Sequence, residues 1–280
     1  MADLLKSPMR CWPKALSNFF LMKKLCFIIA ILLNALAVQA EQEDMVLIPE
    51  GVFMAGYSAK LAQKQCLKNN KVCKQKWFQD EEPQHRVFLP AFHMDKYEVS
   101  QGEFQKVMRG NPSDFKAKKN PVESVTWYEA NEYCELVGKR LPTEAEWEKA
   151  AKGGKGTMFS WGDEFLSGKA NMCDSHCNES WKESQFNDGY ETTAPVGSFP
   201  PNDYGVFDMA GNVYEWVMDW YDEDYYASIT KKIPTGPQKG KEKVFRGGSW
   251  INYSVGVRSA DRTSAKTGKR FNFVGFRCAK

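Results

Sequence analysis

The stretch NPVESVTWYEANEYCELVGKRLPTEAEWEKAAKGG, residues 120–154, decides the fold class. Thr126 and Thr143 each stand three residues ahead of a glutamate, Glu129 and Glu146. At that spacing the hydroxyl accepts from the amide of the third helical residue, and the carboxylate reaches back to the capping residue's own N–H. Each pair predicts a helix start, and Ser100 with Glu103 repeats the device upstream. Gly138 and Gly153 stand where the second and third helices should stop, because glycine closes a helix in the left-handed conformation at no steric cost.

Outward from these helices, MVLIPEGVFMAG (45–56) predicts a strand and turn, and RVFLPAFHMDKYEV (86–99) a strand pair. Between them, SAKLAQKQCLKNNKVCKQKWFQDEEPQ (58–84) is basic and then acidic, and reads as a solvated surface hairpin closed by Cys66 and Cys73. Beyond Gly154 helical periodicity gives way to Gly, Asn, Asp, Trp and Tyr. Short strands and a few helices followed by ordered loop make an α+β chain of one domain, residues 41–280. The runs KKNPVE and KGKEK read as solvated loops.

Hydrophobic residues make up 42% of the 280, enough to bury a core, so wholesale disorder is excluded. The net charge of +3 comes from the N-terminus: residues 1–40 hold five Lys/Arg against one Asp, leaving 33 Lys/Arg against 34 Asp/Glu beyond Ala40. No global basic field therefore points to nucleic acid. Lys23 and Lys24 precede the apolar run Leu25–Leu33, and Val38-Gln39-Ala40 supplies small residues for cleavage, the pattern of an export signal. Met22 is a plausible start, with residues 1–21 an extension. The run is too short to anchor the chain in a bilayer, so the mature protein is expected from Glu41, periplasmic or secreted and without a membrane span.

Six cysteines then remain, Cys66, Cys73, Cys134, Cys173, Cys177 and Cys278. An even number in an oxidising compartment favours disulfides, although six cysteines allow 15 connectivities. Cys66 with Cys73 and Cys173 with Cys177 are local pairs, which leaves Cys134 and Cys278. A metal site in MCDSHC is the competing reading, but it lacks a second ligand cluster, and a loop staple is preferred. Asn171, Asp188, Asp208, Asn212 and Glu215 lie in glycine-containing segments and form an oxygen-rich set that suits Ca²⁺. The residues alone suit turns equally well, and turns are the simpler account.

Residues 120–154, TAPVGSFPPNDYGVFDMAGNVYEWVMDW (193–220), FRGGSW (245–250) and VGFRCAK (274–280) together resemble the formylglycine-generating enzyme, or sulfatase-modifying factor, family. The resemblance runs in order from about Met45 to Lys280. It implies a C-type-lectin-like fold, poor in regular secondary structure and stabilised by calcium and disulfides. It also implies two calcium sites, one from Asn171, Met172, Asp188 and Tyr190, the other from Asp208, Gly211, Val213 and Glu215. Cys134 pairs with Cys278 on the same grounds.

Catalytic members carry two cysteines shortly after the Gly-Gly-Ser-aromatic turn; they bind Cu(I), which activates O₂ to oxidise a substrate cysteine to formylglycine. Here Asn252 stands at the first position and Gly256 or Val257 at the second. Copper is therefore not expected. An iron route needs two histidines and a carboxylate, and only His85, His93 and His176 are present. The preferred reading is a non-catalytic or divergent member that binds a peptide or protein partner in the family groove. The alternative is an oxidase or other modifying enzyme on the same fold. The groove lining is expected from Trp216, Ser249, Trp250, Asn252, Arg258 and Arg262, whereas Arg277 is read as structural.

Overall fold

Two prolines decide how the first hundred residues fold. Proline has no N–H to give a ladder, so each hydrophobic run breaks where one falls. In the computed structural model, which describes residues 44–69, 72–228 and 234–280, Pro49 separates β1 (Met45–Ile48) from β2 (Gly51–Ala55). Pro90 separates β3 (His85–Leu89) from β4 (Phe92–Asp95). The halves pair crosswise and antiparallel: β1 with β4, and β2 with β3. The export-signal segment, residues 1–40, lies outside the described residues, and Met45–Lys280 is one compact unit.

The three capping boxes form as the spacing dictates. Ser100, Thr126 and Thr143 open α2 (Gln101–Met108), α3 (Trp127–Leu136) and α4 (Glu144–Ala151), each with both reciprocal bonds made. Gly138 and Gly153, just beyond α3 and α4, take positive φ of 74° and 57°.

The acidic end of segment 58–84 is a 3₁₀ helix, Gln75–Glu81, but its Lys-rich part corrects the hairpin expectation. It contains a helix, α1 (Ala59–Asn69). Ala59, Ala62 and Cys66 lie on one side of α1 and bury against Phe78 and Val255. Small side chains give little hydrophobic signal, so the lysines dominate the sequence and hide the helix. The Cys66–Cys73 disulfide ties α1 to the chain that follows it.

The central sheet has the order β7-β6-β5-β8, where β5 is Tyr214–Trp220, β6 Lys243–Arg246, β7 Arg262–Ala265 and β8 Val274–Gly275. Alternate residues of a strand face opposite sides. Accordingly Tyr214, Trp216 and Phe245 join the core beneath α2 and α3, while Val217 and Val244 join the core beneath α4 and β1–β4. Burial on both faces explains the unbroken run of buried residues from Tyr214 to Val217. From Gly153 to Val213 the chain forms neither helix nor strand beyond isolated bridges, as expected beyond Gly154, but β5–β8 correct that expectation by placing the central sheet where ordered loop is expected.

The last residues stitch the layers together. Cys278 is bonded to Cys134 in α3, Ala279 exchanges backbone bonds with Arg140, and Lys280 exchanges them with His93. Among the described residues, no helix is long and apolar enough to cross a membrane.

Candidate cation sites and recognition surface

The loop entering β5 is shaped by Gly211. It takes φ +78°, and a Cβ there would lie 2.0 Å from the carbonyl oxygen of Asn171, so only glycine permits the approach. That contact brings Asn171 beside the segment 208–215 as an isolated bridge. The side-chain amide of Asn212 donates to Glu98 Oε2 at 2.6 Å, and Val213 N–H donates to Glu98 Oε1 at 3.2 Å. Glu215 accepts from Arg277 Nε and Nη2, both at 2.7 Å, and from Trp147 Nε1 at 2.8 Å. Asp208 Oδ2 accepts from Gly197 N–H.

Three buried carboxylates, Glu98, Asp208 and Glu215, thus gather with one guanidinium, Arg277, among them. Burial pushes Glu98 well above the usual carboxylate range, and the charges of Asp208 and Glu215 raise it further. Burial likewise carries Asp208 to about 6 against the pull of the Gly197 amide. Asp208 Oδ1 and Asn171 Oδ1 are buried and accept no hydrogen bond. Buried polar atoms are nearly always satisfied, so each of these orphan oxygens needs a partner.

At the neighbouring position, Asp188 accepts from the amides of Met172 at 2.8 Å and Tyr190 at 2.9 Å. Burial nonetheless carries its carboxyl up to about 6, with the Asp174 charge adding. Orphan oxygens and surplus carboxylates fit a hard cation that takes six to eight oxygen ligands. Among the described residues no three His, Cys, Asp or Glu side chains form a complete metal site. Backbone carbonyls would have to complete either set. Sequence reasoning missed Glu98; its only signal is a lone acid between Tyr97 and Val99, just ahead of the α2 capping box.

The turn at 246–258 is built on Gly248, whose φ of +71° places a hypothetical Cβ 2.4 Å from Gly256 O. Asn252 Oδ1 accepts from Ser249 N–H at 3.1 Å and Ser249 Oγ at 2.7 Å, and Asn252 Nδ2 donates to Tyr214 Oη at 3.0 Å. Trp250 donates to Asn272 O and meets Phe115 edge-on, ring centroids 5.4 Å apart.

Three of the residues expected to line a groove lie in the interior, with partners inside the chain. Trp216 is fully buried and donates to Val125 O. Arg258 is fully buried and makes a two-pronged bond to Glu81, at 2.6 and 2.7 Å. Arg262 holds Glu144 at 2.7 and 3.0 Å. A guanidinium taken out of water needs a carboxylate, and each has found one. Ser249 is fully buried and Trp250 nearly so. Arg277 is structural, as expected.

What faces outward here is different. Ile251, Asn252, Tyr253 and Phe115 are half-buried, and exposed Trp181 donates to Ile251 O at 3.0 Å. The Cys173–Cys177 loop docks on the same turn through Cys173 N–H to Asn252 O. On the other side α1 packs on Tyr253 and Val255, and Asn69 Nδ2 donates to Ser254 Oγ. The six cysteines beyond Ala40 pair as Cys66–Cys73, Cys134–Cys278 and Cys173–Cys177, so none is free as a thiolate.

A family model, the sulfatase-modifying factor enzyme 1-like domain, matches residues 33–280, and the chain belongs to that family. The formylglycine-generating enzyme of Streptomyces coelicolor is 40% identical over 179 residues, 61% of this chain and 56% of that enzyme. The serine/threonine-protein kinase pkn1 of Chlamydia pneumoniae is 36% identical over 230 residues, 72% of this chain. The chain spans only 35% of that kinase's length. The solved structure of PvdO from Pseudomonas aeruginosa superposes with a TM-score of 0.66 at 27% identity, covering 84% of this chain and 93% of that one.

Proposed function

We propose that this chain is an exported, calcium-stabilised member of the family that binds a peptide or protein partner and does not oxidise cysteine. One observation carries the reading: Asn252, at the position of the first copper thiolate, is committed through both side-chain atoms to Ser249 and Tyr214. At the second position, Gly256 offers no side chain and Val257 is a fully buried hydrocarbon. A hard amide and a hydrocarbon are no substitute for two soft sulfurs. The cysteines elsewhere are in disulfides and cannot lend thiolates.

Partner recognition falls to the half-exposed rim of Trp181, Ile251, Tyr253 and Phe115. Large apolar faces beside a few orienting polar groups are the usual composition of a recognition site. The Ser249–Asn252 bonds fix the turn that presents this rim. Asn171, Met172, Asp188 and Tyr190 would hold one calcium ion; Asp208, Gly211, Val213 and Glu215, joined by Glu98, would hold the other. The ions would supply charge neutralisation within the long loop and no redox chemistry.

The decisive experiment offers the Cu(I)-treated protein and O₂ a Cys-x-Pro-x-Arg peptide and weighs the product. The expected outcome is unmodified peptide. An aldehyde formed at a rate comparable to that of the Streptomyces coelicolor enzyme would overturn the reading. In parallel, Trp181→Ala, a change at an exposed side chain, should reduce capture of exported partners with little change in the melting temperature; Tyr253, which packs against α1, is left in place.

A further inference from the structure

The inner side of α1 is accounted for by its packing on Phe78 and Val255; the outer side is not. Between Gly51 and Gln79 the sequence contains six lysines and no acid, although the chain beyond Ala40 is nearly neutral. At 3.6 residues per turn, Leu67, Lys60, Lys64, Lys68 and Leu61 follow one another around an arc of about 120°. That arc is the exposed face: Leu61 and Leu67 are each 49% exposed, and Lys60 and Lys64 are exposed between them. Lys68 lies 2.6 Å from Glu164, both of them solvent-facing. Beyond the Cys66–Cys73 disulfide the same composition continues, with Trp77 45% exposed between exposed Lys74 and Lys76.

Lysines interleaved with exposed leucine and tryptophan form a surface of two chemistries. Leucine and tryptophan left in water gain by entering an apolar boundary, and the ammonium groups gain by meeting negative charge at the same depth. An anionic bilayer surface offers both in one plane, and basic faces carrying Leu and Trp are the kind that lie in it. An acidic macromolecule would satisfy the lysines and leave Leu61, Leu67 and Trp77 in water.

We propose that the outer face of α1, with the Trp77 segment, docks the protein on anionic lipid headgroups. The disulfide and the inner-face packing hold the helix preformed, so docking needs no folding step. The proposal is independent of the partner reading, because it uses the opposite side of α1 from the one that covers Tyr253 and Val255.

The test is co-sedimentation of the full chain with vesicles of phosphatidylglycerol in phosphatidylcholine, against phosphatidylcholine alone, at two salt concentrations. A variant carrying K60E, K64E, K74E and K76E should bind the anionic vesicles at least about a hundredfold more weakly, at roughly fivefold per lysine. A second variant, L61S, L67S and W77S, should also bind several-fold more weakly, while the parent releases from the vesicles at high salt. All these residues are exposed, and unchanged melting curves will show that the variants fold. The N-terminal apolar run is common to every protein compared, so the differences isolate this face. Equal vesicle binding by the lysine variant and the parent would overturn the proposal. So would binding that responds to the lysines and not to the apolar trio, which would point to an acidic macromolecule instead.

Discussion

Replacing Glu81 with leucine tests whether the buried ion pairs hold the α1 segment in place. Arg258 and Glu81 are 0% and 1% exposed, bonded at 2.6 and 2.7 Å across 177 residues of sequence. Without Glu81 the guanidinium keeps the Val255 carbonyl, the face of the Phe78 ring and Asp261, the last at 3.1 Å. Removing one partner of a buried pair costs about 3–5 kcal/mol, because the other charge is left uncompensated. Asp261 moderates the loss. Burial lifts its carboxyl to about 7 against the attraction of Arg258, and the charge of Glu81 adds to that rise. With Glu81 gone, Asp261 should ionise more readily at neutral pH and take over part of the guanidinium's charge. The expected cost is therefore about 3 kcal/mol, the low end of the range. Urea denaturation followed by tryptophan fluorescence should show it as a midpoint shift of about 1 M or more. Adding Arg258→Met should restore stability to within about 1 kcal/mol of the parent, since apolar groups of similar volume replace a buried pair at little cost. A single variant losing under about 1 kcal/mol, or a double variant losing the sum of both singles, would refute this account.

Saturating calcium should raise the melting temperature and chelation should lower it, each site adding about 2.7 kcal/mol when calcium stands a hundredfold above its dissociation constant. Asp208→Asn should remove part of that response; a melt indifferent to calcium and chelator would dismiss both sites. Cys134→Ala with Cys278→Ala opens a loop of 144 residues and should cost about 5 kcal/mol in the chain-entropy model, read from denaturation curves. A loss under 1 kcal/mol would show that the loop is already held closed without the bond. Asp219 is raised to about 7 by burial, with the Glu144 charge adding. A folded-state value above the unfolded one contributes stability below about pH 4 that is lost as pH rises through about 7. Asp219→Asn should therefore flatten the stability profile between those limits, by at most about 4 kcal/mol; an unchanged profile would assign the pH dependence to another group.

The helices that open on a capping box were legible because each box is written within four residues. Of the strands, the pair at 86–99 was legible; 45–56, read as one strand and a turn, forms two strands, and the central sheet β5–β8 lies where ordered loop was expected. Nothing local announces a pair such as Arg258 with Glu81, or Arg262 with Glu144 across 118 residues. Arginines next to a glycine turn therefore look like recognition groups until the fold brings their carboxylates to them. Lys243 illustrates the same limit. It belongs to KGKEK, read as a solvated run, yet it lies buried between the rings of Trp127 and Trp220, at 4.3 and 4.0 Å. Glu98 reaches Asn212 across 114 residues, so its place among the carboxylates was likewise out of reach. The calcium ligand sets and the Cys134–Cys278 pair entered through the family's motifs, because oxygen-rich turns look alike whether or not they hold an ion.

The stitching at residues 277–280 has a consequence for biosynthesis. Arg277 carries the only guanidinium that Glu215 binds, Cys278 the sulfur for Cys134, and the last two residues the backbone partners of Arg140 and His93. Every one of those partners is translated earlier, and three of the four belong to the first half of the chain. These contacts form only once residues 277–280 have left the ribosome, so α3, β4 and β5 are not tied together through this segment until then. By the same reasoning, a chain cut after Phe276 would leave Cys134 without its disulfide and Glu215 with Trp147 but without its guanidinium.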